Sequence, residues 1–356
     1  MPTVLITGSA GLVGSAATAF YARLGWRVVG VDNDQRQRFF GAAASTGRTL
    51  ASLQAEFPAY LHHDVDIRDE IRMRELFASH SSDIELVVHA AAQPSHDAAA
   101  GAPLVDFQTN ASASLLLLEL TRQYCAAAVF IYVSTNKVYG DTPNRLPFVE
   151  HPTRWELDPK HEFAAAGIPE TMGVDQCLHS VFGCSKLAAD VLVQEYGRYF
   201  GLKTGSFRCG CITGSAHAAV EQHGFFAYLM WCAAAKRPYV IHGYGGKQVR
   251  DNIHASDLVL AFDQFRQRPR AGEVYNLGGG QTFNCSVTEA IGLCEQATGN
   301  KLSRSYQDLA RAGDHIWWVT DVGKFKRDYP EWRYQVGADA IVADVYAGAL
   351  RRLGQG

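Results

Sequence analysis

The stretch Thr7-Gly8-Ser9-Ala10-Gly11-Leu12-Val13-Gly14-Ser15 follows the apolar run Val4-Leu5-Ile6 and opens an amphipathic segment. Nothing else in the chain restricts its fold as much. A buried strand that turns through glycines directly into a helix brings backbone close to an anion, and the helix N-terminus offers N–H donors to its charge. A glycine triplet alone is weak, because turns also collect glycine. Its place between a strand and a helix gives it meaning. Further apolar runs at Arg27–Val31, Leu86–His89 and Val129–Val133 read as buried parallel strands with helical segments between them. That rhythm predicts an α/β fold, a doubly wound parallel sheet whose ligand lies at the carboxyl ends of the strands.

Two stretches interrupt the rhythm. Residues 35–60, with Gly41, Gly47 and Pro58, read as an inserted loop with some helix. Asp141 to Ser180 is a longer irregular stretch ahead of a helix beginning near Val181, and long irregular segments in compact domains are often functional. After Phe207 the alternation becomes less regular, which points to a smaller substrate-binding part built from separate chain segments.

Composition narrows the function classes. A formal net charge of −3 gives no reason to expect nucleic acid or an anionic membrane as partner. No apolar run reaches the ~20 residues that cross a bilayer, and the candidate around Leu115 to Leu120 is short and flanked by polar residues. Met1 leads straight into a strand rather than a signal-peptide core, so a cytoplasmic protein is expected. The eight cysteines contain no C-x-x-C pair, and the thirteen histidines form no ligand-spaced cluster. No metal is expected, and most cysteines are read as small buried residues.

Asp32 ends the second strand, 18 residues beyond Gly14. A carboxylate there accepts both hydroxyls of an adenosine ribose and repels a 2′-phosphate, so the cofactor expected is NAD rather than NADP. The spacing Gly8, Gly11, Gly14 resembles that of the extended short-chain dehydrogenase/reductases, the NAD-dependent epimerase/dehydratase family with a Rossmann fold, and other segments agree along most of the chain. The resemblance makes Gly8, Gly11, Leu12, Val13, Gly14, Asp32 and Asn33 cofactor residues. To these it adds Asp66-Ile67 flanking the adenine, Ala90-Ala91-Ala92-Gln93 after the fourth strand, Asn110 and Ser134. It also implies a Rossmann domain of residues 1–207 and 238–262, a smaller α/β nucleotide-sugar domain of 208–237 and 263–356, and a homodimer.

The family's catalytic signature is Tyr-x-x-x-Lys on a helix, assisted by a Ser or Thr that falls here on Thr135. In this chain the matching stretch is Phe182-Gly183-Cys184-Ser185-Lys186. Positions i and i+4 share one helical face. In the family the Lys holds the nicotinamide ribose and lowers the pKa of the Tyr, which exchanges a proton with the sugar hydroxyl. Phe182 preserves the ring and lacks the ionisable oxygen. Three readings stay open: a Tyr→Phe replacement introduced to trap a complex, an enzyme in which another group carries the proton, or a relative that only binds. For the second, the residues to consider are His179, Asp175, Tyr139 and Lys186, helped by Thr135.

A carbinol carbon has no acidic proton, so inverting it calls for transient oxidation. Dehydratase relatives carry an Asp-Glu pair just after the catalytic Thr, where Asn136-Lys137 stand here. The segments Ser134–Asp141, His179-Ser180, Gly183–Lys186, Ala188–Asp190, Gly246–Asp251 and Tyr275–Gly279 resemble the CDP-sugar 2-epimerase branch. The expected function is therefore an NAD-dependent nucleotide-sugar epimerase. The alternatives are a dehydrogenase or decarboxylase on the same scaffold, or a non-catalytic NAD and nucleotide-sugar binder. Expected on the substrate side are Thr135, Asn136, Lys137, His179, Ser180, Cys211, Arg250 for the diphosphate, Arg311 and His315. Trp317-Trp318 reads as core or interface rather than a base-stacking platform.

Overall fold

The computed structural model describes residues 1–81, 83–310 and 313–354. Four of the first five strands form where the sequence predicts them, β1 (Thr3–Thr7), β2 (Arg27–Val31), β4 (Ile84–His89) and β5 (Val129–Thr135), and β3 (Leu61–His63) is added between them in the chain. The strands Lys203–Cys209 and Glu273–Leu277 complete a seven-stranded sheet. Its order is Glu273–Leu277, Lys203–Cys209, β5, β4, β1, β2, β3, with parallel pairing from β5 through β3. Val4, Leu5, Ile6, Val87 and Val88 are fully buried, which is why the central strands are apolar without alternation. Helices cover the sheet, and Met73, Phe77, Leu117, Leu118 and Val193 pack into its main core cluster. Strand order reverses between β1 and β4, the switch point at whose carboxyl edge doubly wound sheets bind their ligands. The glycine loop leaves β1 there, and the segment Ala90–Gln93 leaves β4 there.

The chain separates into two compact units. One comprises residues 1–138, 181–208 and 258–275, and the other 139–180, 209–257 and 276–356. These bounds differ from the sequence expectation in three places, each time because of a non-local pairing. Glu273–Leu277 is an edge strand of the large sheet. Val249–His254 pairs with Cys211–Thr213, Asn284–Ser286 and Trp317–Trp318, so the stretch around it joins the second unit. Residues 139–180 do likewise, through the Tyr139 hydroxyl on Asn276 Oδ1 and the Asn276 amide on the Ile168 carbonyl.

The 35–60 stretch is more ordered than a loop. It forms helices Gln35–Phe40 and Gly47–Glu56, tied down where Asp34 accepts bonds from the Thr46 N–H at 2.9 Å and the Ser45 hydroxyl at 2.5 Å. Strand β3 escapes a reading by apolar runs, since Leu61-His62-His63 holds one aliphatic residue. In the second unit the helices Phe225–Ala234, Val287–Thr298 and Ala338–Leu353 enclose a core with Phe283, Cys285 and Cys294. A Ser286/Glu289 capping box starts the middle helix, and Gly299 ends it in the left-handed region, a cap worth ~1 kcal/mol. Five of the eight cysteines are buried, while Cys184 is exposed and Cys177 and Cys211 are half-buried. Among the described residues no helix is long and apolar enough to cross a membrane, and no group of three His, Cys, Asp or Glu could hold a metal ion.

Candidate active site

The glycine loop is as tight as its sequence implies. Gly8 has φ +68°, and a Cβ there would lie 2.8 Å from the Ala91 nitrogen, so β1 and β4 can meet only through glycine. A Cβ at Gly14 would lie 2.6 Å from the Gly8 carbonyl carbon and closer still to its oxygen, whereas at Gly11 it would meet that oxygen at 3.2 Å. Leu12 and Val13 open the helix Leu12–Arg23, whose N-terminus faces the loop. Asp32 takes up the loop from the other side. Its Oδ2 accepts the Ala10 N–H at 3.0 Å and its Oδ1 the Asp34 N–H at 2.9 Å, with half-buried Asn33 between. Burial raises its pKa, against those backbone bonds. Asp66 is held by Arg68 and Gln35, and hydrogen bonds from Arg68 bring its carboxyl down to about 2. Ile67 packs into the core cluster. A backbone cradle that rejects side chains, beside a carboxylate at the end of β2, fits the pyrophosphate and ribose of a dinucleotide.

At the end of β4, His89 is fully buried with one ring nitrogen on the Thr7 hydroxyl and the other on that of Ser114. Burial lowers its pKa to about 3, so the ring is neutral and structural. Ala90, Ala91 and Ala92 are half-buried beyond it. The side chains of Gln93 and Asn110 turn inward to a shared network. Asn110 accepts the Gln93 N–H at 2.9 Å and donates to Asp106 at 3.0 Å and to Ser185 at 3.1 Å. Gln93 donates to Asp106 at 2.7 Å, and the Ser185 hydroxyl to the other Asp106 oxygen at 2.5 Å. Asn110 sits in a π-helical turn, Gln108–Ser112, the kind of irregularity that often marks functional sites.

The helix Val181–Arg198 carries Phe182 and Lys186 on one face. The Lys186 ammonium donates to the Val133 carbonyl at 2.7 Å and lies 4.1 Å from the centre of the Tyr132 ring. Thr135, two residues along β5, is half-buried, and its Oγ1 accepts the Lys137 N–H at 3.2 Å and contacts Asn136 Oδ1 at 3.3 Å. Phe182 is 6% exposed, and its ring meets the His96 imidazole edge to face with centroids 5.1 Å apart. The Ser134 hydroxyl points away, to Asp190 at 2.6 Å. Asp190 also accepts from Ser206 at 2.5 Å and from Arg208 at 2.7 Å. Burial would raise the Asp190 pKa, but the Arg208 charge and these hydrogen bonds outweigh it and hold the carboxyl below its usual range.

In the second unit, Arg250 is almost fully buried, donating to the Val249 carbonyl and ion-paired with Asp314. Cys211 pairs in register with Asn252 on the neighbouring strand. His179 lies 3.6 Å from the Cys177 sulfur, next to half-buried Ser180. His315 is fully buried, stacked on Trp318 and bonded to the Gly140 carbonyl at 2.9 Å. The Tyr139 hydroxyl donates to Asn276 at 2.8 Å, and Asp175 is exposed. Trp317 and Trp318 are core, as their sequence reading held. Arg311 lies outside the described residues.

The model of the NAD dependent epimerase/dehydratase family matches residues 4–278. The chain belongs to that family. Its cofactor is NAD. It is 31% identical to the CDP-paratose 2-epimerase of Salmonella typhi over 96% of this chain and 98% of that one. The UDP-glucose 4-epimerase of Thermotoga maritima, solved with UDP-glucose, superposes with a TM-score of 0.78 at 24% identity over 99% of both chains. A tyrosine-to-phenylalanine mutant of the Bacillus cereus UDP-glucuronic acid 4-epimerase, in complex with UDP-4-deoxy-4-fluoro-glucuronic acid and NAD, has a TM-score of 0.76 at 20% identity. It covers 98% of this chain and 99% of that one. The two structural likenesses extend the fold assignment over the whole chain.

Sequence reasoning missed Asp106, Ser185, Arg208 and His96. Ser185 and Asp190 lay inside segments already singled out, and Asp106 stands one helical turn before Asn110, a spacing that could have drawn attention to it. Nothing local marks His96 or Arg208.

Proposed function

We propose that the chain is an NAD-dependent nucleotide-sugar epimerase that inverts a sugar carbinol by transient oxidation and re-reduction, with carbon 2 of a CDP-hexose as its preferred target. The observation that carries this reading is the end of β5. Lys186 is fixed at the Val133 carbonyl, Thr135 follows, and Asn136-Lys137 occupy the places where water-eliminating relatives carry two acids. The end-to-end similarity to a CDP-paratose 2-epimerase supports the substrate class.

The glycine loop and the helix N-terminus hold the cofactor's pyrophosphate, Asp32 takes the adenosine ribose, and Asp66 and Ile67 flank the adenine. Lys186 holds the other ribose with its ammonium, and Thr135 donates or accepts a hydrogen bond at the reacting carbinol oxygen. When bound, NAD supplies a place for the hydride to go and come back from. Arg250 takes the substrate diphosphate, a natural task for a guanidinium fork, exchanging the Asp314 carboxylate for phosphate oxygens. His179, Ser180 and Cys211 complete the substrate side.

The test is turnover of this chain and its Phe182→Tyr variant on a panel of nucleoside-diphosphate hexoses, with sugar stereochemistry followed by NMR. Inversion without accumulation of NADH is expected. Stoichiometric NADH release or loss of carbon dioxide would replace the epimerase with a dehydrogenase or decarboxylase. A second reading has one observation in its favour, the absent phenol of Phe182: a binder without turnover. It predicts that both proteins hold NAD and nucleotide sugar by calorimetry and that neither converts any sugar.

A further inference from the structure

We propose that His96 is the acid–base catalyst of this site, its imidazole taking the part of the phenol that Phe182 lacks. This rests on the epimerase reading above. Phe182 occupies the position from which a hydroxyl would serve the sugar, and the ionisable ring against it is that of His96, edge to face at 5.1 Å between centroids and 78° between planes. His96, Phe182, Lys186 and Thr135 all belong to the first unit. His96 is half-buried, so its ring is partly shielded yet reachable.

The structure also fixes the His96–Phe182 pairing more firmly than packing alone would. The Gln93 side chain clamps Ser95, the neighbour of His96: its Oε1 accepts the Ser95 N–H at 2.6 Å and its Nε2 donates to the Ser95 carbonyl at 2.8 Å. The same Nε2 reaches Asp106, and Asp106 takes the hydroxyl of Ser185, three residues from Phe182 on the same helix. A buried polar chain thus runs from the residue beside His96 to the turn that carries Phe182. Burying a carboxylate is costly, and the return here is position: general base catalysis needs the base held within hydrogen-bond reach of its proton.

The chemistry balances without another reactant. In the forward half the carbinol O–H breaks and its proton passes to a ring nitrogen of His96. The C–H electron pair leaves as hydride to the oxidised cofactor, and the C=O forms. In the return half the hydride arrives on the opposite face of the ketone and His96 gives the proton back to the oxygen. An imidazole can both take up a proton and give it back, as the two halves require.

Four proteins test this: the unaltered chain, His96→Gln, Phe182→Tyr and the double variant, each measured for sugar inversion by NMR and for NAD affinity by calorimetry. His96→Gln should lower kcat by about 10²–10⁴-fold, with NAD affinity changed less than about twofold. Adding Phe182→Tyr to it should restore about tenfold or more, since a phenol can then do the imidazole's work. A ring that only packs against Phe182 would show no such rescue, and His96→Asn repeats the test should the Gln variant fold poorly. The inference falls if His96→Gln turns over like the unaltered chain, or if the double variant holds NAD yet stays as slow as His96→Gln. It also falls, leaving the epimerase reading in place, if only proteins with Phe182→Tyr are active. Should none of the four convert any nucleotide sugar, the epimerase reading itself falls, and the inference with it.

Discussion

Replacing Gly14 with Ala tests the cradle most sharply. The added methyl would stand 2.6 Å from the Gly8 carbonyl carbon and 2.8 Å from the Ser9 Cα, both backbone atoms. The Gly8 oxygen would be nearer still, and ordinary contacts begin near 3.4 Å, so the first helix and the glycine loop must part by more than an ångström. No side chain can yield in their place. Overpacking of this kind costs about 1–3 kcal/mol, and the loop N–H groups would no longer converge on a pyrophosphate. Gly11→Ala, whose methyl meets the Gly8 oxygen at 3.2 Å, asks for a shift of only a few tenths of an ångström and serves as the graded comparison. Calorimetric NAD titration and urea unfolding of both variants read the effect. Gly14→Ala should lose about 1–3 kcal/mol of stability and most of its NAD affinity, with Gly11→Ala intermediate. Equal affinity in Gly14→Ala and the unaltered chain would refute the argument that the loop approaches the cofactor through its backbone.

The other predictions concern charges. Asp32→Ala removes the carboxylate that would receive the ribose and also the acceptor of the Ala10 and Asp34 N–H groups. Hydrogen bonds to charged groups are worth about 1.5–3 kcal/mol, so NAD affinity by calorimetry should fall by about 10–150-fold. Arg208→Met leaves the buried Asp190 carboxylate with only the neutral donors Ser134, Ser206 and Gln194, and urea unfolding should show a loss of about 3–5 kcal/mol. Asp251 is fully buried and accepts the Gly280 and Thr320 N–H groups; burial raises its pKa to about 6, above the unfolded value of about 3.9. The folded state therefore binds this proton more tightly, so the Asp251 contribution is fully present below about pH 4 and is lost as pH rises through about 6. Asp251→Asn keeps an acceptor for both N–H groups and should flatten that part of the Tm–pH curve; an unchanged slope would mean another group is responsible.

What could be read in the sequence was what adjacent residues encode. Val4–Ile6, the three glycines and Asp32 lie within one β-α-β unit, so their arrangement follows from local geometry and was legible in full. Phe182 and Lys186 share a helical face for the same reason. The unit boundaries were not legible, because Glu273–Leu277 joins a sheet whose preceding strand lies more than sixty residues earlier, and no local pattern says which sheet a strand will enter. Nor was the polar network: Asp106 and Ser185 meet across 79 residues, and each alone reads as an ordinary helix residue. The same distance effect hid His96 from Phe182, since the two stand 86 residues apart in sequence. Arg250 was expected as the ligand of a diphosphate, and its buried pairing with Asp314 depends on a contact 64 residues away.

The central claim is that inversion proceeds by hydride leaving and returning. Turnover of a nucleoside-diphosphate hexose in deuterium oxide, with the product examined by NMR at the inverted carbon, tests it directly. The account predicts a product whose inverted carbon retains its original hydrogen, with no deuterium from solvent and no lasting NADH. Deuterium at that carbon would mean that a proton, not a hydride, had been removed, and the oxidation–reduction route would be wrong.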